Sequence, residues 1–272
     1  MIMNRFTDIA KHTLPIIAAA LLASATSITT ANAQNNSCCN KAEEKKCCCE
    51  NKKHNHEQEQ KECCKLNGSN KKQMLNEQLI KDGLIDVSTL DPSIEVHLVY
   101  ATPYNFMGRV LYDNLDRAYL IPEAAAKLKK AAELLRAKRP DLHLVIYDAA
   151  RPLSIQKQMW KLVEGTDKED FVANPARHGM HNYGAAVDLT LADCTGHPVD
   201  MGGEYDYFGE ASRVDKEEQL LKDGIITQKE LNYRLLLREV MTEAGFLIEP
   251  SEWWHFNTFT SKETRERFKV IE

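Results

Sequence analysis

Leu142-His143-Leu144-Val145-Ile146-Tyr147 is a short, largely apolar run that contains β-branched and aromatic side chains and has strand length. It reads as a buried strand. Upstream, Pro122 can occupy the first position of a helix. Leu128, Ala131, Ala132 and Leu135 then form an apolar stripe at helical spacing, and Pro140 ends it. Downstream, Ser154 to about Val163 suits a second helix. Thr227-Gln228-Lys229-Glu230 is a capping box that opens a third, with Leu231, Leu235 and Val240 expected on one face and Gly245 as its stop. Ile94–Tyr100 alternates and predicts a strand, as do Phe246-Leu247-Ile248 and Trp253-Trp254-His255-Phe256. Strands and helices without regular βαβ alternation point to an α+β fold, a small mixed or antiparallel sheet flanked by helices. No internal repeat interrupts this pattern.

Around that domain the chain changes character. Its 272 residues are 43% hydrophobic and 28% charged, which excludes collagen-like, wholly disordered and polytopic membrane classes. A net charge of −5 argues against a nucleic-acid partner. Of the eight cysteines, seven lie between Cys38 and Cys64, and only Cys194 lies beyond them. Residues 1–33 carry Arg5 and Lys11, an apolar stretch from Leu14 to Ala23, and Ala31-Asn32-Ala33. This predicts a signal peptide cleaved after Ala33, with export to the periplasm or exterior and no membrane span after cleavage. Residues 34–72 are dominated by Lys, Glu, Asn and Gln, a composition that predicts a disordered linker. Their Cys clusters, with His54 and His56, could hold extra soft metal ions, although no finger spacing is present. Residues 73–272 form the expected single domain.

Two segments carry the chemistry: His181-Asn182-Tyr183-Gly184-Ala185-Ala186-Val187-Asp188-Leu189 and Glu252-Trp253-Trp254-His255. A hydrolytic zinc site needs three protein ligands, an open position and a carboxylate that is not a ligand. His181, Asp188 and His255 would be the ligands, provided that a turn at Tyr183-Gly184 brings the first two together. Glu252 is the spare carboxylate, provided that a bend or bulge aims it into the cleft with His255.

The pattern His-x6-Asp followed by Glu-x-x-His resembles the zinc-dependent D-alanyl-D-alanine dipeptidases of the VanX type, in the LAS group of D,D-peptidases. Tyr100-Ala101-Thr102-Pro103-Tyr104-Asn105-Phe106-Met107-Gly108, Tyr147-Asp148-Ala149-Ala150-Arg151-Pro152, and Met201-Gly202 with Tyr205-Asp206-Tyr207-Phe208 agree in order, so the resemblance spans nearly all of residues 80–260. It implies one Zn²⁺ held by His181, Asp188 and His255, with Glu252 as general base. It also implies Arg151 as oxyanion stabiliser and Asp206 as the partner of a small D,D-dipeptide's ammonium group. The family usually has Ser two residues before the first ligand. Here that residue is Gly179, and His178 or Asn182 could stand in.

Alternatives remain open at this level. A D,D- or L,D-carboxypeptidase acting on peptidoglycan stem peptides would need an open cleft at Asp206. A non-catalytic binder of wall fragments or metal would not need Glu252. Arg151 could serve only to pair with Asp148. His97, His143, His178 and His197 read as structural, Trp253 and Trp254 as core and cleft wall, and Cys194 as an ordinary buried or loop residue.

Overall fold

The computed structural model describes residues 73–272. The expected signal peptide and the Cys-rich linker lie outside the described residues. Among the described residues, no helix is long and apolar enough to cross a membrane.

A helix over residues 73–81, α1, leads into the short strand β1, Ile85–Asp86. The other strands are β2 (Glu95–Val96), β3 (Tyr119–Leu120), β4 (Leu142–Asp148), β5 (Ala186–Asp193), β6 (Leu247–Glu249) and β7 (Glu252–Asn257). The other helices are α2 (Pro122–Lys138), α3 (Leu153–Val163), α4 (Glu217–Lys222), α5 (Gln228–Glu243) and α6 (Ser261–Arg267). β1 and β3 pair by themselves, and the remaining strands form one sheet in the order β2-β4-β5-β7-β6. Only β2 and β4 run parallel; the other pairs are antiparallel. This is the expected α+β architecture, with a mixed sheet and helices packed against it.

α2 begins with Pro122 in its first turn, where a missing N–H loses nothing, and it buries Leu128, Ala131, Ala132 and Leu135. It packs against α5 and β4. Its stripe joins Leu144 and Ile146 of β4 and Val187, Leu189 and Leu191 of β5 in one core. Burying each such aliphatic side chain contributes about 1.5–3 kcal/mol.

Two expectations are corrected. The strand predicted over Ile94–Tyr100 is only Glu95–Val96, and the chain turns into a 3-10 helix at Val99–Ala101. The alternation there came from side chains that the turn buries, Leu98 and Tyr100, and not from a continuous pleat. In α5, Thr227 and Glu230 form the predicted capping box, and Gly245 follows the helix end at φ 99°. The buried face, however, is Arg234, Leu237, Val240 and Met241, whereas Leu235 is 45% exposed. Arg234 reverses the polarity rule because its Nε and Nη2 donate to the Met201 and Ala211 carbonyls at 2.5 and 2.7 Å. Those bonds compensate Nε and Nη2 for burial, while Nη1, without a hydrogen-bond partner, lies 3.8 Å from Glu217 Oε1.

Two irregularities on the central strands shape the site. Ile146 faces Leu189 but Asp148 faces Asp188, so two steps on β4 match one on β5. Ile248 faces Phe256 but Glu249 faces Glu252, so one step on β6 spans four on β7. Such bulges re-aim side chains beside functional sites.

Candidate active site

His181 sits in a 3-10 turn, Met180–Tyr183, just before β5. Gly184 follows at φ 65°, a left-handed conformation that glycine adopts readily. A Cβ at that position would also lie 3.0 Å from Leu84 Cδ2. The turn brings His181 back onto the start of β5, where its Nε2 lies 3.2 Å from Asp188 Oδ1. Register between β5 and β7 sets Asp188 opposite His255, whose Nδ1 lies 2.9 Å from the same oxygen. The two facing imidazole nitrogens are 3.1 Å apart.

These three separations test whether an ion fits. Ligand bonds near 2.0–2.1 Å in a tetrahedral site put the donor atoms about 3.3 Å apart. The outer nitrogens fix the tautomers. His181 Nδ1 lies 2.6 Å from the Ala149 carbonyl and donates to it, and His255 Nε2 lies 2.8 Å from Asn257 Oδ1 and does the same. In the neutral rings that bind a metal, each facing nitrogen is then left with a lone pair. Two lone pairs and a carboxylate oxygen within 3.2 Å of one another form a donor set that suits Zn²⁺, with the outer hydrogen bonds orienting the rings. Among the described residues no other such group of His, Cys, Asp or Glu occurs. Burial raises the Asp188 carboxyl, but the neighbouring His181 and His255 outweigh it and hold Asp188 well below the usual carboxylate range. Burial lowers His255, and the hydrogen bond to Asp188 reverses this, to about 9.

Glu252 lies 3.6 Å from His255 Nδ1 through its Oε2. Residues three apart on a regular strand point to opposite faces. The β7 irregularity lets both line one cleft of about 280 Å³. Burial pushes the Glu252 carboxyl up to about 7, with Asp188 adding to the rise and His255 opposing it.

Arg151 also lines this cleft. Its Nε and Nη2 donate to Asp148 Oδ2 at 2.8 and 2.6 Å, and its Nη1 donates to Gln156 Oε1 at 2.9 Å. The pairing with Asp148 and a place at the cleft therefore coexist. Nη2 is 3.9 Å from Asp188 Oδ2, and the guanidinium lies 5.2 Å from the Tyr100 ring centroid. Asp148 is fully buried and also accepts from Tyr112 Oη at 2.7 Å and from the Ala149 N–H at 2.9 Å. Gln156, fully buried, donates to the Ala173 carbonyl at 2.7 Å.

Asp206 stands at the same cleft, with Tyr100 Oη donating to its Oδ2 at 2.8 Å. Burial drives its carboxyl well above the usual range, and the Asp188 charge adds to that. Asp206 and His178 both line the cleft and are the non-glycine residues with positive φ, 60° and 56°, among the described residues. Such strained backbone concentrates at functional sites.

At Gly179 an added Cβ would lie 2.9 Å from Ala173 Cβ, so the loop carrying Ala173 occupies the space a side chain would need. Of the two proposed stand-ins, Asn182 is committed elsewhere. It accepts from the Gly179 N–H and donates to the Arg151 carbonyl, both at 2.9 Å. His178 faces the cleft, with Nδ1 3.3 Å from Tyr183 Oη. Trp253 and Trp254 are buried, and Trp254 forms cleft wall. Cys194 is exposed in a turn after β5.

Sequence reasoning missed Tyr205, Gln156 and Asn257. Tyr205 Oη donates to Asp188 Oδ2 at 2.9 Å. Asn257 shares a face of β7 with His255 two residues before it, and Gln156 lies five residues after Arg151, so a polar residue at those offsets was the available signal; Tyr205 reaches Asp188 from a separate segment and had none.

A family described as D-ala-D-ala dipeptidase matches residues 81–271. The chain is 34% identical over 173 residues to the D-alanyl-D-alanine dipeptidase of Escherichia coli (strain K12), an alignment covering 64% of this chain and 83% of that protein. It is 30% identical over 161 residues to the protein of that name from Synechocystis sp., covering 48% and 65%. A third of that name, from Enterococcus faecium, is 30% identical over 175 residues, covering 58% and 82%. The matched segment contains His181, Asp188, Glu252 and His255, so both the donor set and the spare carboxylate fall inside it. On that match, together with the converging donors, the chain belongs to the D-ala-D-ala dipeptidase family.

Proposed function

We propose that this protein hydrolyses D-Ala-D-Ala to two D-Ala in a zinc-dependent reaction. The observation that carries the reading is the meeting of three metal-donor atoms within 3.2 Å beside a carboxylate that is not needed as a ligand. His181, Asp188 and His255 would hold the ion, which when bound acidifies water and polarises the scissile carbonyl. Glu252, near neutral in its proton affinity, takes a proton from water and delivers it to the leaving amine. Arg151 offers a fixed positive charge to the carbonyl oxygen as that oxygen becomes negative. Asp206 pairs with the substrate's free ammonium group, which replaces the water its carboxylate lacks.

A carboxypeptidase reading would require an open cleft where Asp206 and Tyr100 stand. A silent binding module would give Glu252 no task. The test is turnover of D-Ala-D-Ala against N-acetyl-D-Ala-D-Ala, with zinc measured on the same sample. Preferred cleavage of the free dipeptide and about one zinc per chain are expected. Preference for the acylated peptide would favour the carboxypeptidase, and a zinc-loaded protein without turnover would favour the binder.

Export is part of the same proposal, resting on Arg5, Lys11, the Leu14–Ala23 stretch and Ala31-Asn32-Ala33. A mature chain beginning at Gln34 is the expected N-terminal sequencing result. Soft metal ions on the Cys38–Cys64 tract would raise the metal content above that of a chain lacking residues 34–72.

A further inference from the structure

Asp206 lines more than the catalytic cleft. It also lines a second hollow of about 510 Å³, together with Tyr104, Lys168, Glu204 and Phe208 among others. Phe106 and Asp206 are the residues common to both linings, so they form the wall between the hollow and the catalytic cleft.

That wall is built from three loops. Phe106 meets Phe208 edge-on at 5.0 Å between centroids, and Phe208 stacks on Phe171 at 5.2 Å and 20°. Phe106 also meets Tyr100 at 6.2 Å, and Tyr100 holds Asp206. Aromatic pairs of this geometry add about 0.5–1.5 kcal/mol each beyond their burial. The Phe106 loop is stapled by Asn105, whose Nδ2 donates to the Thr102 and Arg109 carbonyls at 2.6 and 2.8 Å and whose Oδ1 accepts from the Met107 N–H at 2.9 Å. Asn105 thus pins the backbone that carries Phe106, and the ring itself packs against Tyr100 and Phe208.

We infer that Phe106 is a specificity-determining residue that limits the substrate to a dipeptide by separating the cleft from the hollow behind Asp206. The inference rests on the dipeptidase reading above. A peptide extended at its amino end must continue past Asp206, and the Phe106 ring stands there. With the ring removed, cleft and hollow join. The hollow's mixture of Tyr104, Glu204 and the Lys168 ammonium, which lies 5.9 Å from the Phe208 ring centroid, is polar enough to receive peptide backbone.

The experiment measures kcat/KM for D-Ala-D-Ala and for an N-acylated tripeptide ending in D-Ala-D-Ala, on zinc-loaded wild type, Phe106→Ala, Phe106→Leu and Phe208→Ala. Thermal unfolding and zinc content establish that each variant is folded and loaded. Phe106→Ala is expected to raise the tripeptide-to-dipeptide ratio at least about tenfold, about 1.4 kcal/mol of differential binding in the transition state. Phe208→Ala removes a support of the partition from outside the cleft and should shift the ratio the same way by less. Should Phe106→Ala not fold, Phe106→Leu and Phe208→Ala carry the test. An unchanged ratio in the folded variants overturns the inference, even if their stability drops. Wild type inactive on D-Ala-D-Ala would instead remove the dipeptidase reading itself.

Discussion

Arg151→Lys separates charge from geometry at the candidate site. Arg151 is 8% exposed and uses all three guanidinium nitrogens, Nε and Nη2 on Asp148 and Nη1 on Gln156. A lysine carries its three N–H donors on a single nitrogen and cannot reproduce the planar fork that pairs Nε and Nη2 with Asp148 Oδ2 while Nη1 reaches Gln156 Oε1. The bidentate pairing is lost, and a buried acceptor of Asp148 or Gln156 is left with a poorly aimed donor. Buried hydrogen bonds to charged groups contribute about 1.5–3 kcal/mol each, and partial replacement by the ammonium reduces the net loss to about 2–4 kcal/mol of stability. The catalytic loss has a different origin. The same three bonds fix the plane of the guanidinium that faces the cleft, and losing an aimed donor raises a barrier by about 2.7–4 kcal/mol, or 10²–10³ in kcat. Urea unfolding reads the first quantity. Steady-state kinetics on D-Ala-D-Ala with the zinc-loaded enzyme read the second, and KM should change far less than kcat. A kcat within about threefold of wild type would show that a point charge suffices and would refute the role assigned to the fork.

Glu252→Gln should keep its zinc and lose turnover by at least about 10²-fold, because an amide cannot accept the proton; a metal assay and a kinetic assay on one preparation decide this, and near-normal turnover would remove Glu252 as the base. Gly179→Ala should destabilise the protein by about 1–3 kcal/mol, since its Cβ would stand 2.9 Å from Ala173 Cβ. Ala173→Gly in the same chain should recover much of that loss in thermal unfolding, and the absence of rescue would mean that the strain lies elsewhere. Arg136 donates to Asp91 at 3.0 Å from both Nη1 and Nη2, and this pairing holds the Asp91 carboxyl well below its usual range against the opposing effect of burial. A lowered folded pKa gives stability that is present above the unfolded value of about 3.9 and is lost as pH falls further. Thermal midpoints should therefore decline more steeply below about pH 4 in wild type than in Asp91→Asn, and parallel curves would discount the pair.

Where the sequence was legible, the signal was local. The stripe Leu128–Leu135 between Pro122 and Pro140 marks α2, and the capping box at Thr227 marks the start of α5, because both depend on contacts within one helix. Ile94–Tyr100 alternates over more residues than its strand occupies, because alternation does not distinguish a pleated strand from a turn with buried side chains. The buried face of α5 is not legible in its apolar spacing, because a buried arginine depends on the Met201 and Ala211 carbonyls around it.

The sequence by itself determined the α+β class, the candidate donors His181, Asp188 and His255, and the spare carboxylate at Glu252. These are matters of residue type and spacing. Only the tertiary structure decided that the three donors converge, since that requires the turn at Gly184 and the register of β5 against β7. It alone showed the β7 irregularity that turns Glu252 and His255 to the same cleft, and the Asp148–Gln156 cradle around Arg151. It alone placed Tyr100 on Asp206 and Phe106 in the wall behind it. The physical reason is one of range: helix periodicity and caps act over a few residues, whereas hydrogen bonds between side chains a hundred positions apart exist only after the chain has folded.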